Sequence, residues 1–70
     1  MSDAREQFAA CEALLTKGDV EACAAAAETL TKQYPQHARA WCLRAALATQ
    51  ADIALKHAER AKALKPDLDC

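Results

Sequence analysis

Apolar residues recur at three- and four-residue intervals through most of this chain, which is the spacing of a helix that buries one face. The first such stretch runs from about Asp3 to Lys17. Ser2 or Asp3 serves as its N-terminal cap, and Glu6 completes a capping box. The pattern predicts a helix that ends at Gly18, which is free to adopt the left-handed conformation. Its apolar positions are Phe8, Cys11, Leu14 and Leu15.

A second periodic stretch follows at once and leads into a third. Asp19 caps a helix that runs to about Gln33. Pro35 stops it, because a proline pushes the residue before it out of the helical region. Gln36 or His37 opens the next helix.

The second half of the chain has the same helical spacing. The third helix is predicted to end at about Ala48 or Thr49. A fourth follows the Thr-Gln-Ala-Asp turn and ends at Pro66. No stretch alternates between apolar and polar residues as a half-buried strand does. The sequence therefore predicts an all-α fold of antiparallel helices. The apolar positions are Trp41, Leu43 and Leu47 in the third helix, and Ile53, Leu55, Ala58, Ala61 and Leu64 in the fourth.

The two halves of the chain repeat one another. The segment AETLTKQYP at residues 27–35 returns as AERAKALKP at residues 58–66, a shift of 31. The Ala-Arg pair at residues 4 and 5 returns at residues 38 and 39, a shift of 34. Three residues missing around the second turn account for the difference. A helix pair that recurs after about 34 residues is typical of a helical repeat protein.

This period and the residues that carry it resemble the tetratricopeptide repeat family, whose pattern is W-x2-L-G-x2-Y…A-x3-F…P. Gln7 and Arg44 depart from the pattern, and the second turn is short. The resemblance implies one domain of two tandem helix-turn-helix hairpins, about residues 4–35 and 38–66, in a short right-handed solenoid. The matching residues are Ala10, Cys11, Leu14, Cys23, Ala27 and Pro35 in the first copy, and Trp41, Ala45, Ala48, Ala54, Ala58 and Pro66 in the second.

Small side chains mark where the helices of each hairpin would come closest. These are Cys11 and Cys23 in the first pair, and Ala45 and Ala54 in the second. A disulfide between the two cysteines is the competing interpretation. An up-and-down four-helix bundle is also open, and in that fold the repeat would be a coincidence.

Composition and charge exclude several classes of protein. Alanine supplies 19 of the 70 residues, so the core is built from small side chains. The net charge of −1 and the interspersed charges give no basic stripe for nucleic acid. No apolar run reaches the roughly 18 residues of a membrane span, and the N-terminus lacks a signal-peptide core. We expect a cytoplasmic protein that binds neither membranes nor nucleic acid.

Four cysteines are many for a chain of this length. Without an export signal or a Cys-x-x-Cys motif, they are predicted to be reduced thiols that pack as small apolar side chains. Cys70 is expected to be mobile and reactive, able to cross-link two chains when oxidised. A thiol-based redox or metal-binding protein using Cys11, Cys23 and Cys42 is the rival function, although no fourth zinc ligand is obvious.

The two histidines give no sign of catalysis. His37 is expected to be solvated near the start of the third helix, and His57 to lie on a polar helix face. Neither has a cysteine or an acid at the spacing of a nucleophile and its base. We therefore predict no enzymatic activity and no cofactor.

The leading prediction is an adaptor or chaperone-like subunit that binds another protein or a peptide. In the family that the chain resembles, the first helices of successive repeats line a groove for a partner segment. Trp41 is either a wedge in the core between repeats or an anchor for a partner. A full cluster of basic residues for a terminal carboxylate is absent from this groove. The resemblance implies partner contacts from Arg5, Phe8, Glu12 and Leu15 in the first helix, and from Arg39, Cys42 and Ala46 in the third.

The last helix is predicted to have an apolar face that the chain itself does not cover, formed by Ile53, Leu55 and Leu64. Repeats of this kind bury their apolar faces against neighbouring repeats, and about three are usually needed for a stable fold, so two repeats alone leave one face uncovered. Two hypotheses follow. The chain completes its core as a homo-oligomer or with another subunit, or it is the N-terminal piece of a larger repeat protein.

Overall fold

A computed structural model describes residues 3–68. Within that range the fold is all-α, as predicted, and contains no strand. The helices are α1 (Ala4–Thr16), α2 (Val20–Gln33), α3 (Ala38–Leu47) and α4 (Ala51–Leu64). We call α1 and α2 the first hairpin, and α3 and α4 the second hairpin.

The caps predicted for the first hairpin are confirmed. The Asp3 side chain accepts a hydrogen bond from the Glu6 backbone N–H at 2.9 Å, and Asp19 accepts one from Ala22 at 3.2 Å. Gly18 has a φ of 87°, in the left-handed region. The backbone N–H groups of residues 18 and 19 bond to the carbonyls of residues 15 and 14, which closes α1 with a Schellman motif. The alternative cap Ser2 lies outside the described residues.

The second hairpin begins with a histidine cap. His37 Nδ1 accepts a hydrogen bond from the Ala40 backbone N–H at 3.2 Å, so His37 rather than Gln36 opens α3. Leu47 is the last residue of α3, slightly earlier than the sequence predicted. Gln50 precedes α4 and makes no side-chain capping bond.

The helices pack in chain order, α1 on α2, α2 on α3 and α3 on α4. A closed four-helix bundle would also pack α4 against α1, and no packing of comparable extent joins them in residues 3–68. The buried core lies between the first hairpin and the start of α3. It consists of Cys11, Cys23, Ala27, Leu30 and Ala40.

Candidate interaction surface

The two hairpins differ in burial at positions that the repeat makes equivalent. All four positions in the first hairpin are fully buried. In the second hairpin, Ala61 is buried and the other three positions are half-buried. The matched pairs are Cys11 with Ala45, Cys23 with Ala54, Ala27 with Ala58, and Leu30 with Ala61.

A covering helix accounts for this difference. Ala40, Leu43 and Leu47 of α3 pack against the core of the first hairpin. Among residues 3–68 no further helix lies in the corresponding place on the second hairpin. Its small side chains are therefore left on an open surface.

That surface is a groove between α3 and α4, which we call the α3–α4 groove. Leu55 is the most accessible large apolar side chain along it, at 59% exposure. Ala45 and Ala54 share the groove, so the predicted close approach of these residues leaves both half-buried rather than sealed. The lining residues are Cys42, Ala45, Ala46, Ala51, Ala54, Leu55 and Ala58.

The cysteines fall into two environments. Cys11 and Cys23 are buried free thiols, as predicted, and the alternative disulfide between them does not form. Burial raises the pKa of both thiols, and the neighbouring Cys23 raises the pKa of Cys11 further. Both thiols therefore carry little of the reactive thiolate form at neutral pH.

Cys42 differs from the two buried cysteines. It is disulfide-bonded, so the prediction of a reduced thiol is wrong at this position. Cys42 is half-buried and lines the open α3–α4 groove rather than the sealed core. The prediction for Cys70 falls outside the described residues.

The seven residues predicted to contact a partner lie in different surroundings. Phe8 is half-buried against the core, and its ring lies 5.4 Å from the His37 ring. Cys42 and Ala46 line the α3–α4 groove together with residues of α4. A binding role for this set stays a prediction. The exposed members are Arg5, Glu12, Leu15, Arg39 and Ala46.

Trp41 lies outside the buried core, among charged side chains. Its indole Nε1 donates a hydrogen bond to the Pro35 carbonyl at 2.8 Å. The Arg44 and Arg60 guanidinium carbons lie 5.2 and 5.7 Å from the Trp41 ring centroid, and the His57 ring lies 5.5 Å from it. This cluster was not predicted, because it joins α3 to α4, and His57 and Arg60 lie sixteen or more positions after Trp41 in the sequence.

Both histidines are corrected by the structure. His37 is half-buried, because it caps α3 and packs on Phe8 rather than being solvated. His57 is half-buried against Trp41 rather than on a polar face. Burial lowers the pKa of His57, and the nearby positive charge of Arg44 lowers it further. His57 is therefore mainly neutral at pH 7.

Arg44 also ties the second hairpin to the first. Its Nη1 donates to the Thr31 hydroxyl at 3.1 Å, and that hydroxyl donates to the Glu28 carbonyl at 2.9 Å. Thr31 is 3% exposed, so its polar atom is satisfied inside the protein. Arg44, which departs from the repeat pattern, thus makes a contact between α3 and α2.

Two further observations bear on the kind of site present. The described part of the chain holds no group of three or more His, Cys, Asp or Glu side chains that could bind a metal ion. Among the same residues, no helix combines the length and hydropathy needed to cross a membrane.

Comparisons with protein-family models, curated proteins and solved structures give no match.

Proposed function

We propose that this protein is a protein–protein interaction module without chemistry of its own, built as two tetratricopeptide-like hairpins in a short solenoid. The observation that carries the proposal is the unequal burial of matched positions. Cys23 and Ala27 are sealed in the first hairpin, whereas Ala54 and Ala58 line an open groove in the second. A surface that is covered in one copy and open in the other is suited to a partner.

The first hairpin indicates what kind of segment would cover the second. There, α3 lies across the hairpin and contributes the small Ala40 and the larger Leu43 and Leu47. By analogy, the α3–α4 groove takes an amphipathic helix with small and branched apolar side chains on one face. Such helix-in-groove binding uses residues at three- and four-residue spacing.

The groove predicted between α1 and α3 is the other candidate surface. Its exposed members include two basic residues, Arg5 and Arg39, and the apolar Leu15. These residues suit an acidic, partly apolar peptide. The two surfaces share Cys42 and Ala46, but Ala54 belongs only to the α3–α4 groove and Leu15 only to the predicted α1–α3 groove, so one experiment separates them.

Site-specific photo-crosslinking tests the proposal. A benzophenone amino acid replaces Ala54 in the α3–α4 groove, Leu15 in the α1–α3 groove, or the exposed Ala25 of α2 as a control. Each variant is irradiated in a lysate of the source organism, and its adducts are analysed by mass spectrometry. We expect a discrete adduct, either a partner protein or a second copy, from the Ala54 position and none from Ala25.

The adduct pattern decides between the surfaces. An adduct from Leu15 alone would transfer the binding role to the α1–α3 groove. Adducts of equal yield from all three positions, or from none, would count against an interaction module.

A further inference from the structure

Two arginines and a histidine converge on one indole ring at the junction of α3 and α4. Arg44 comes from α3, whereas His57 and Arg60 come from α4. Each lies within 6 Å of the Trp41 ring by the distances given above. A cation over an indole face is stabilised by about 0.5–1 kcal/mol at an exposed site. The Trp41 ring therefore has two positively charged groups within cation–π distance.

Among the described residues, no acidic side chain forms an ion pair with Arg44 or Arg60. In residues 3–68 the ion pair present is Lys32 with Glu28, at 3.4 Å. Arg44 donates to a neutral hydroxyl, that of Thr31, and Arg60 pairs with no carboxylate of the described chain. The net charge of the whole chain is −1, so this positive cluster is a local feature rather than a general excess of basic residues.

An apolar wall adjoins the cluster. Arg44 and His57 line a groove of about 250 Å³ together with Leu47 and Ile53, and Ile53 is 39% exposed. Glu28 lines the same groove and is paired with Lys32. The groove thus places the Arg44 guanidinium and the apolar side chains of Leu47 and Ile53 within reach of one ligand.

The geometry points to a carboxylate-binding site: Arg44, which shares the Trp41 ring with Arg60, binds an acidic side chain of a partner polypeptide whose neighbouring apolar side chain lies on Ile53. This inference rests on the proposed function and names the chemistry of the partner. Guanidinium groups form short, charge-assisted and often bidentate hydrogen bonds with carboxylates. Glu28 at the groove opposes a doubly charged phosphate more than a single carboxylate.

His57 would respond to the bound acid. Its imidazole packs on Trp41 and is close enough to Arg44 to be affected by its charge, and it shares the groove with Glu28. A carboxylate bound beside Arg44 would offset the positive charge that keeps His57 neutral. Binding is therefore expected to raise the pKa of His57, a change that a structural cluster alone would not produce.

Nuclear magnetic resonance titration tests the site, because Trp41 is the sole tryptophan of the chain and gives one indole N–H signal. The probe is the peptide acetyl-Glu-Leu-Leu-Glu-amide, and its control is the same peptide with glutamine for glutamate. Ionic strength is held constant throughout. We expect saturable shifts of the Trp41 indole and His57 ring signals, with binding of the glutamine peptide at least about tenfold weaker, or about 1.4 kcal/mol.

Matched variants locate the binding residues. The Arg44→Gln/Arg60→Gln double variant is expected to lose the saturable shifts. Lys56→Gln/Lys62→Gln removes the same charge from exposed positions of α4 and is expected to keep them. If the double variant fails to fold, the single variant Arg60→Gln takes its place. It leaves the Arg44–Thr31 bond intact and is expected to weaken binding severalfold.

Several results would overturn the inference. The first is equal binding of the glutamate and glutamine peptides. The second is loss of the saturable shifts in the lysine double variant as well as in the arginine double variant. The third is saturable binding of inorganic phosphate without binding of the acidic peptide. Failure here is distinguishable from failure of the proposed function. A specific adduct at Ala54 would still identify an interaction module, but one without this carboxylate site.

Discussion

The first and second hairpins share one pattern of small and apolar residues, yet only in the first are all four matched positions buried. Cys11 and Cys23 are fully buried, whereas their counterparts Ala45 and Ala54 line an open groove. The helices of the second hairpin nevertheless pack extensively on each other. The comparison shows that close packing within a hairpin does not seal it. Burial depends on a further helix lying across the pair, as α3 does for the first hairpin.

The two hairpins are also stabilised by different interactions. Fully burying a side chain such as Leu30 contributes about 1.5–3 kcal/mol. The second hairpin relies on contacts between alanines and on the Trp41 cluster, where each cation–π pair contributes about 0.5–1 kcal/mol. We therefore expect the first hairpin to determine most of the stability of the chain.

The largest expected effect comes from truncating a leucine in each hairpin. Leu30→Ala should lower the free energy of unfolding by about 2–5 kcal/mol, because it leaves a cavity in the core. Leu55→Ala should change it by less than about 0.5 kcal/mol, because Leu55 is exposed. Urea unfolding followed by circular dichroism measures both. Since a domain of this size has about 3–5 kcal/mol of net stability, Leu30→Ala is expected to populate the unfolded state. Equal losses of stability in the two variants would show that Leu55 is as buried as Leu30 in solution.

A leucine placed at matched alanines sharpens the contrast. Ala27→Leu should cost about 1–3 kcal/mol, because the buried site has no room for three more carbon atoms. Ala58→Leu should stay within about 0.5 kcal/mol, because its side chain enters the open groove. The same unfolding measurement compares them. Strong destabilisation by Ala58→Leu would show that the groove is closed in solution.

The second helices of the two hairpins differ in their caps. Asp19→Ala should cost about 1 kcal/mol, since it removes the bond to the Ala22 N–H. Gln50→Asp should stabilise α4 by about 0.5–1 kcal/mol, because Gln50 makes no capping bond. Thermal melts report both changes, and Asp19→Asn is a control that retains a cap. A loss of stability in Gln50→Asp would mean that the start of α4 cannot accept a side-chain cap.

The smallest expected effect is a pH dependence that separates the hairpins. The pKa of His57 in the folded protein is lowered from 6.5. The unfolded state therefore binds more protons just below pH 6.5, and the free energy of unfolding falls as the pH decreases through that range. The pKa values of Cys11 and Cys23 are raised from 9.0, so stability falls as pH rises past that value. His57→Gln should flatten the acid limb alone, and Cys11→Ala should reduce the alkaline limb. An acid limb unchanged in His57→Gln would assign it to other groups.

Local sequence signals predicted the helices well. Asp3, Asp19 and Gly18 act through bonds to residues within one turn, so the letters alone place the ends of α1 and the start of α2. The burial of Cys11 and Cys23 also followed from their place in the repeat. Features of this kind depend on neighbours in sequence or on a periodic pattern.

The surroundings of the polar side chains were not predictable in this way. His37 packs on Phe8 of another helix, and His57 meets Trp41 only because α3 and α4 pack at a particular rotation. No pattern within either helix encodes that rotation. The same reason explains why Arg44, an apparent departure from the repeat, became the link to Thr31.

Thiol labelling at one matched pair tests directly whether the first hairpin is sealed and the second is open. The Ala54→Cys variant places a thiol at the position equivalent to Cys23, and iodoacetamide labelling followed by peptide mapping measures both rates in the same molecule. We predict that the thiol at position 54 reacts readily in the folded protein, because this position lies on the open groove. In the folded protein, Cys23 should react more than about a hundredfold more slowly than the thiol at position 54, at a rate limited by unfolding. In denaturant, the two thiols should react at the same rate. Equal protection of both thiols in the native protein would show that the second hairpin is sealed like the first.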